Sequence, residues 1–511
     1  MIEISEKVKL AKQQLKSGQL KLAEESSSQV LRTNADHPEA LHLLGIIYHK
    51  NGKPDTAVDL ITKAIAIDSH IPEYHYNLGI IFSALGKTEE AIRSYQASLY
   101  VKPDYTDALN NLGLILYEQN RIEESIILFQ QSIRTNPDFT NAYYNLGNAL
   151  QTQGNPRAAI EVYDQVLKML PASAETRFNR SISLLLTGNF KEGWEEYEWR
   201  FRNLNDQTKK WNEKDAHRWD GSSFVGRRLL VVDEQGIGDT RQFIRYLPMV
   251  KELGGTVIFE TIESLMRLLE NFQGIDELWH RSSVERSDLA FDLYIPLMSL
   301  PGIFNTTLKT IPDRVPSIFP DTTKTQYWRR QIKKGKIKVG IVWAGKTSAD
   351  YRQNRMSGLE HVDLGWAGQP ASKFASKRLA RLEYFLPLTK IEGIQLYGLQ
   401  KGNAADQART FSGSVDVINL CEESTDFSGV AAAMENFDLI ISVDTALAHL
   451  AGAMGKPVWV LVPFVPDWRW MLVREDSPWY PTMRLFRQPE KDEWEDVFQR
   501  VAKELHALVD Q

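Results

Sequence analysis

The dipeptide Leu-Gly recurs at Leu44-Gly45, Leu78-Gly79, Leu112-Gly113 and Leu146-Gly147, with 34 residues between successive pairs. A fixed period of this length marks stacked supersecondary units, none of which buries its apolar face alone. A second series runs in phase: Gly18, Gly52, Gly86, Asn120, Gly154 and Gly188. Glycine accepts the left-handed conformation that ends a helix, and asparagine is the best substitute. These positions therefore mark the turn between two helices of each unit. Small residues at Ala57, Ala91, Ser125 and Ala159, followed by Ile61, Tyr95, Phe129 and Tyr163, give a close helix crossing and its large knob. Pro103, Pro137 and Pro171 end the second helix, since proline cannot continue it.

This pattern resembles tetratricopeptide repeats over about residues 4 to 202, with four good units and a degenerate one at each end. The fifth unit, Ala174 to Arg202, has Arg180-Ser181 in place of Leu-Gly and gains Trp194, Tyr197, Trp199 and Phe201. It reads as a cap whose rings dock on the next domain. Stacked units of this kind leave a concave groove that receives peptides; a spacer or an oligomer contact is the plainer use. Asn77, Asn111 and Asn145 recur near the Leu-Gly pairs, placed to clamp a peptide backbone or to serve as intra-repeat caps.

A chain of 511 residues exceeds what one core spans, and 43% hydrophobic with 25% charged residues is a globular balance. A net charge of −6 provides no global basic field, which argues against nucleic acid as a partner and makes any phosphate site local. Cys421 is the only cysteine, so an intramolecular disulfide framework and a multi-cysteine metal site are excluded. Met1 to Gln19 lacks a signal peptide's apolar segment and no run approaches a membrane span, so the expected location is cytoplasmic.

After a polar stretch from Asn203 to Gly226, short aliphatic runs alternate with helical periods, the pattern of parallel α/β structure. The predicted strands are Leu229 to Val232, Val257 to Glu260, Phe291 to Ile295, Val339 to Trp343, Ile394 to Leu399, Leu439 to Val443 and Val458 to Val462. Most are apolar on both faces, as a sheet covered by helices requires. A proline-rich run between Pro296 and Lys338, followed by a basic helix around Tyr327 to Lys334, marks a domain boundary. The expected division is a repeat array over 1–202, a linker over 203–218, a first Rossmann-like domain over 219–324 and a second over 325–511 that includes a final helix at Trp494 to Leu508. Ligands in such sheets bind at the carboxyl ends of the strands.

Two strand ends carry candidate chemistry. The first runs into Asp233-Glu234-Gln235-Gly236-Ile237-Gly238-Asp239-Thr240, ahead of Gln242 and Phe243, and so puts a carboxylate at the mouth of the cleft. Taken alone, Asp239 reads first as a helix cap. The second, Leu439 to Val443, ends in Asp444-Thr445-Ala446-Leu447-Ala448-His449. The free amides of residues 445–447 make an anion site suited to a diphosphate, and His449 lies one turn on, either reaching a ligand or serving the core. Lys346 and Arg355 follow one strand and Gln400-Lys401 another, on the cleft side or as solvated surface charge. The Gly-, Ala- and Ser-rich insertion at 358–377 reads as a mobile lid.

The Gly238-Asp239 turn and Val443-Asp444-Thr445-x-x-x-His449-Leu450 resemble heptosyltransferase-type glycosyltransferases of family 9. The second half from Trp219 resembles bacterial proteins that fuse such a domain to tetratricopeptide repeats. Gln242-Phe243, Arg245-Tyr246-Leu247-Pro248, Pro463-Phe464, Trp468-Arg469-Trp470 and Ser477-Pro478-Trp479-Tyr480-Pro481 support the match. The architecture also resembles protein O-linked N-acetylglucosamine transferases, without their catalytic motifs. The resemblance implies an all-α tetratricopeptide superhelix followed by an α/β GT-B fold of two Rossmann-like domains with parallel sheets. It implies an inverting enzyme with a nucleotide-sugar donor in the C-terminal domain and an acceptor facing the N-terminal one, and a final helix packed across both. Asp239 inherits the role of general base; Asp444, Thr445, Ala446 and His449 inherit donor contacts; Gln235, Gly236, Gly238 and Gln242 form the acceptor-side loop.

Physical chemistry agrees in kind. A sugar hydroxyl is a poor nucleophile, so a carboxylate must take its proton. No Asp-x-Asp motif is present, so neither metal nor other cofactor is expected, and the leaving diphosphate's charge falls to the helix end with Lys346, Arg355, Gln400 or Lys401. The acceptor is a hydroxyl, on a protein or peptide held in the groove, a glycan or a lipid-linked sugar. Two rivals stand beside this reading. Gly340-Ile341-Val342-Trp343-Ala344-Gly345-Lys346-Thr347 fits the phosphate-loop expression of a nucleoside triphosphatase, although its middle reads as a strand. A binding protein that keeps the fold without turnover is the other.

Overall fold

The computed structural model describes residues 2–203, 217–281, 290–332, 336–345, 381–400, 407, 416–417 and 426–510. The chain divides into two compact units, Met1–Ala172 and Ser173–Gln511.

The first unit consists of helix pairs: α1 (Ile2–Lys16) with α2 (Leu20–Thr33), α3 (Pro38–Lys50) with α4 (Pro54–Ile67), α5 (Pro72–Ala84) with α6 (Thr88–Val101), α7 (Thr106–Glu118) with α8 (Ile122–Thr135), and α9 (Thr140–Gln153) with α10 (Pro156–Met169). The predicted turns are left-handed, from φ 76° at Gly18 to 64° at Asn120 and 92° at Gly154. Helices α6, α8 and α10 stop two residues before Pro103, Pro137 and Pro171. The Leu-Gly glycines have a packing cause: a Cβ at Gly45, Gly79, Gly113 or Gly147 would run into Ile61, Tyr95, Phe129 or Tyr163, all fully buried knobs of the following helix.

The recurrent asparagines are not caps within their own repeat. Asn77 Nδ2 lies 2.9 Å from His42 Nε2, Asn111 Nδ2 donates to the Tyr76 hydroxyl at 3.3 Å, and Asn145 Nδ2 donates to Asn110 Oδ1 at 2.9 Å. Each partner lies 35 residues back on the preceding first helix. The amides therefore tie neighbouring repeats together, as half-buried polar groups must find partners.

The second unit begins with the fifth pair, α11 (Ala174–Leu186) and α12 (Phe190–Tyr197), and continues into two sheets. The first contains β1 (His217–Arg218), β2 (Arg228–Val232), β3 (Thr256–Thr261), β4 (Glu277–His280) and β5 (Leu293–Pro296) in the order β1-β5-β2-β3-β4. The second contains β6 (Ile337–Val342), β7 (Ile394–Gly398), β8 (Asp416–Val417), β9 (Leu439–Val443), β10 (Val458–Val462) and β11 (Met483–Arg487) in the order β11-β10-β9-β6-β7-β8. Every pairing between these strands is parallel. An all-α tetratricopeptide region is thus followed by α/β structure with two parallel sheets. The seven predicted strands are present, β9 and β10 with the predicted ends. The unpredicted β1, β4, β8 and β11 are the edge strands, where half-exposed residues such as those of β4 give no continuous apolar run.

The basic helix spans Thr322–Gln331. The final helix, α17 (Trp494–Val509; α13 to α16 are the site helices below), corrects an expectation. Its apolar face, with Trp494, Val497, Phe498, Val501 and Leu505, joins the cluster of Phe385, Leu388, Val339 and Ile441 on the second sheet, so it serves that domain's own core. The rings of the fifth pair dock as read from the sequence. Trp194 lies 6.2 Å from Phe243 and 5.3 Å from Trp468, and Phe190 stacks on Trp479 at 6.1 Å. Gly340 sits inside β6, paired with Tyr397 and Ile440, where a Cβ would strike Leu399. That stretch is a central strand rather than a phosphate-cradling loop, which removes the physical basis for the triphosphatase reading.

Candidate active site

The carboxyl end of β2 leads through Asp233 and Glu234 to Gln235, which holds a left-handed φ of 62°, and then into α13 (Ile237–Phe243). An asparagine or glycine would hold that backbone at less cost. Two neighbours fix it here. Gln235 Nε2 donates to the Tyr197 hydroxyl at 2.8 Å, and Glu234 receives Arg200 Nε at 3.1 Å and Nη2 at 2.7 Å. The fifth helix pair therefore shapes the turn that precedes Asp239.

Asp239 stands at the third position of α13, and its Oδ2 accepts the Gly236 N–H at 2.9 Å, so the helix-capping reading holds. Its other oxygen is paired with Arg469, and 17% of its side chain stays exposed. Arg469 also donates to Asp467 Oδ1 at 2.8 Å and, through Nε, to Gln242 Oε1 at 2.6 Å. Burial opposes the charge of Arg469, but the Asp239 and Asp467 carboxylates outweigh it and raise its pKa. Arg469 stood in the sequence only within a Trp-Arg-Trp motif; its 230-residue separation from Asp239 gave no hint of the pair.

The end of β9 leads through Asp444 and Thr445 into α16 (Ala446–Ala453). Thr445 takes the cap position without a side-chain cap bond; its hydroxyl lies 3.0 Å from Ser442 Oγ, leaving the first amides of α16 to other partners. His449 is buried, with Nδ1 3.1 Å from the Tyr480 hydroxyl, Nε2 4.0 Å from Asp444 Oδ1 and its ring stacked on Trp470 at 5.3 Å. The two turns meet. A Cβ on Gly238 would lie 3.2 Å from the His449 ring and 3.5 Å from the Ala446 Cα, so glycine is what lets α13 approach the start of α16.

Other expected residues are placed differently. Gln400 spans β7 and β6: its Oε1 accepts the Ala344 N–H at 2.9 Å and its Nε2 donates to the Ala344 carbonyl at 2.9 Å, so it braces the strand ends. Lys346, Arg355, Lys401 and the 358–377 insertion lie outside the described residues. Of the cleft aromatics, Trp468, Trp470, Trp479 and Tyr480 are buried in the joint while Phe464 is 42% exposed.

Three charged groups were given no role by the sequence reading. Asp233 is buried, accepts the Thr240 and Thr261 hydroxyls at 2.6 and 2.8 Å, and burial pushes its pKa up to about 6. Arg245 donates to the carbonyls of Gln242, Pro312 and Trp479. Arg241 is 1% exposed and donates through Nη1 to the Ala446 carbonyl at 2.6 Å. Phe427, the first residue of α15 (Phe427–Met434; α14 is Glu263–Leu269), lies 3.7 Å from the Arg241 guanidinium. Burial draws the pKa of Arg241 down to about 9.

With this geometry in place, residues 389–461 match the family model Glycosyltransferase family 9 (heptosyltransferase). The match covers β7 to β10 and the Asp444–His449 helix start; the turn at Asp239 lies outside it. Residues 8–70, 81–120, 113–154 and 140–173 match tetratricopeptide repeat models. Protein FlbA of Caulobacter vibrioides is 26% identical over 336 residues, a stretch covering 61% of this chain and 52% of FlbA. The chain thus spans about half the length of the curated relative it matches. Similar solved structures include MamA, at 24% identity and a TM-score of 0.30 over 32% of this chain and 96% of that one. Another is YrrB, described as a TPR protein with an unusual peptide-binding site, at 17% identity and a TM-score of 0.33 over 37% and 98%. The chain carries tetratricopeptide repeats in its N-terminal region and a family 9 glycosyltransferase domain in its C-terminal region.

Proposed function

We propose that this chain moves a sugar from a nucleotide-diphosphate sugar to a hydroxyl acceptor, without a metal and with inversion at the anomeric carbon. The observation that carries the reading is the approach of Gly238 to His449 and Ala446, which sets a glycine-acid turn against an aspartate-threonine helix start inside a family 9 domain. On this reading, Asp239 takes the acceptor's proton as the new carbon–oxygen bond forms. The bond from the anomeric carbon to the diphosphate breaks, and its electron pair leaves with the diphosphate. The start of α16 and nearby cations receive that charge.

Asp239 is held by Arg469 in the present arrangement, which aims it. Accepting a proton there requires the pair to loosen when the acceptor enters, so Arg469 acts as a positioning residue. The repeats supply the further part of the proposal: a protein or peptide held by the array as acceptor or adaptor.

Screening purified full-length protein for nucleotide-sugar hydrolysis, and then for transfer, tests the reading. Transfer unaffected by a tenfold molar excess of EDTA over protein is expected with one donor class. Asp239→Asn should lower kcat by about 10²- to 10⁴-fold, the usual worth of a general base. Turnover of Asp239→Asn at the native rate would remove the base assignment, and absence of hydrolysis across all nucleotide sugars would favour a binding protein.

A further inference from the structure

The arginines of the second unit are not alike. Buried Arg469 faces Asp239 and Asp467, buried Arg200 faces Glu198 and Glu234, and the partly buried Arg281 lies 3.6 Å from Asp233 and 3.7 Å from Glu260. Among the described residues, no carboxylate pairs with Arg241; its Nη1 holds the Ala446 carbonyl, and its Nε and Nη2 are buried without a hydrogen-bond partner. Leaving a charged donor buried and unpaired is among the costlier arrangements a fold can keep.

Arg241 thus holds two buried N–H donors and a positive charge for which the described residues supply no oxygen, and that is a demand for an anionic one. The Nη1 contact fixes where Arg241 answers it: one residue into α16, where the free helix amides already favour an anion. The Phe427 ring over the guanidinium holds the fork in place.

We propose that Arg241 is the resident cation of a diphosphate site at the first turn of α16, with Nε and Nη2 reserved for two of the ligand's anionic oxygens. The class of ligand rests on the glycosyl-transfer reading above; the need for an anion at Arg241 rests on the buried, unpaired guanidinium. In the reaction, Arg241 offsets the negative charge that collects on the departing diphosphate. Its Nε and Nη2 are buried in the ligand-free chain, so the packing over them opens as the diphosphate enters, while the cost of desolvating the guanidinium is already met by folding.

Calorimetric titration of the full chain with inorganic pyrophosphate, and with phosphate as the single-charge-centre control, tests the assignment. Wild type should bind pyrophosphate at least about tenfold more tightly than phosphate, as a fork with two free donors prefers two phosphoryl groups. Arg241→Met should weaken pyrophosphate binding by about tenfold or more while Tm stays level or rises, since an unpaired buried charge has been removed. A merely structural arginine would give the opposite sign in Tm, and that result overturns the proposal. Wild-type affinity in Arg241→Met also overturns it, while leaving the glycosyl-transfer reading standing. If wild type binds no pyrophosphate, both fail. Should Arg241→Met not fold, Arg241→Lys decides: a several-fold loss of affinity supports the fork, and unchanged affinity counts against it.

Discussion

The repeat region and the α/β region solve the same problem, burying apolar surface while satisfying polar groups, over very different distances along the chain. In the repeats each knob fills the glycine of the helix before it, as Tyr95 does at Gly79, and each recurrent asparagine reaches back 35 residues. In the α/β region Asp239 meets Arg469, Arg241 meets Ala446, and Arg200 meets Ser299 at 2.8 Å. A nearest-neighbour stack distributes its stability in small equal parts. The joint between the sheets concentrates its stability and its chemistry in a few long-range contacts, and this is where charge without a carboxylate partner is kept.

Substitutions can break or sharpen that contrast. The largest effect is expected for Trp194→Ala. This buried ring touches Phe190, Tyr197, Phe243 and Trp468, from three separate parts of the second unit. Removal should cost about 3–5 kcal/mol in urea unfolding. Hydrogen exchange should rise together in α12, α13 and the segment around Trp468; loss confined to α12 would mean that the joint is no more cooperative than the repeats.

A smaller effect, of opposite pH sense to ordinary acid denaturation, is expected at Asp233. Its folded pKa of about 6 lies above the ordinary carboxylate value of 3.8, so the folded state binds the proton more readily than the unfolded one. The resulting stability is fully present below about pH 3.8 and is lost as pH rises through about 6. Relative to Asp233→Asn, wild type should therefore lose about 2–3 kcal/mol between pH 4 and pH 7, measured by chemical denaturation at each pH. A flat difference across that window would show that Thr240, Thr261 and Arg281 already hold the carboxylate ionised.

Gly113→Ala should be mildest, costing about 1–3 kcal/mol as the new methyl presses on Phe129. Exchange should quicken in α7 and α8 and their immediate neighbours only. Loosening throughout residues 2–172 would show that the repeats are not a nearest-neighbour stack.

Legibility follows the same division. The repeat phase, its left-handed turns and its knobs could be read because each is repeated and each is local; the fate of Asn77, Asn111 and Asn145 could not, because spacing does not say whether an amide turns inward to its own repeat or back to the previous one. Central strands were visible as apolar runs, edge strands were not. Gly238, Asp239, Thr445 and His449 stood out through local motif context, but the burial of Arg241 did not, since an arginine beside other polar residues on a short helix looks like surface charge. Gln400 showed the reverse: a polar residue at a strand end that reads as a ligand contact, yet braces two strands.

The sequence by itself determined the repeat period, the order of helices and strands, and the two strand ends that carry an acid and a helix start, because all of these are written in patterns shorter than about forty residues. Tertiary structure alone decided that those two ends touch, that Arg469 pairs with Asp239, and that Arg241 is buried without a counter-charge among the described residues. Burial and pairing depend on which distant residues close around a group, and no spacing along the chain records that.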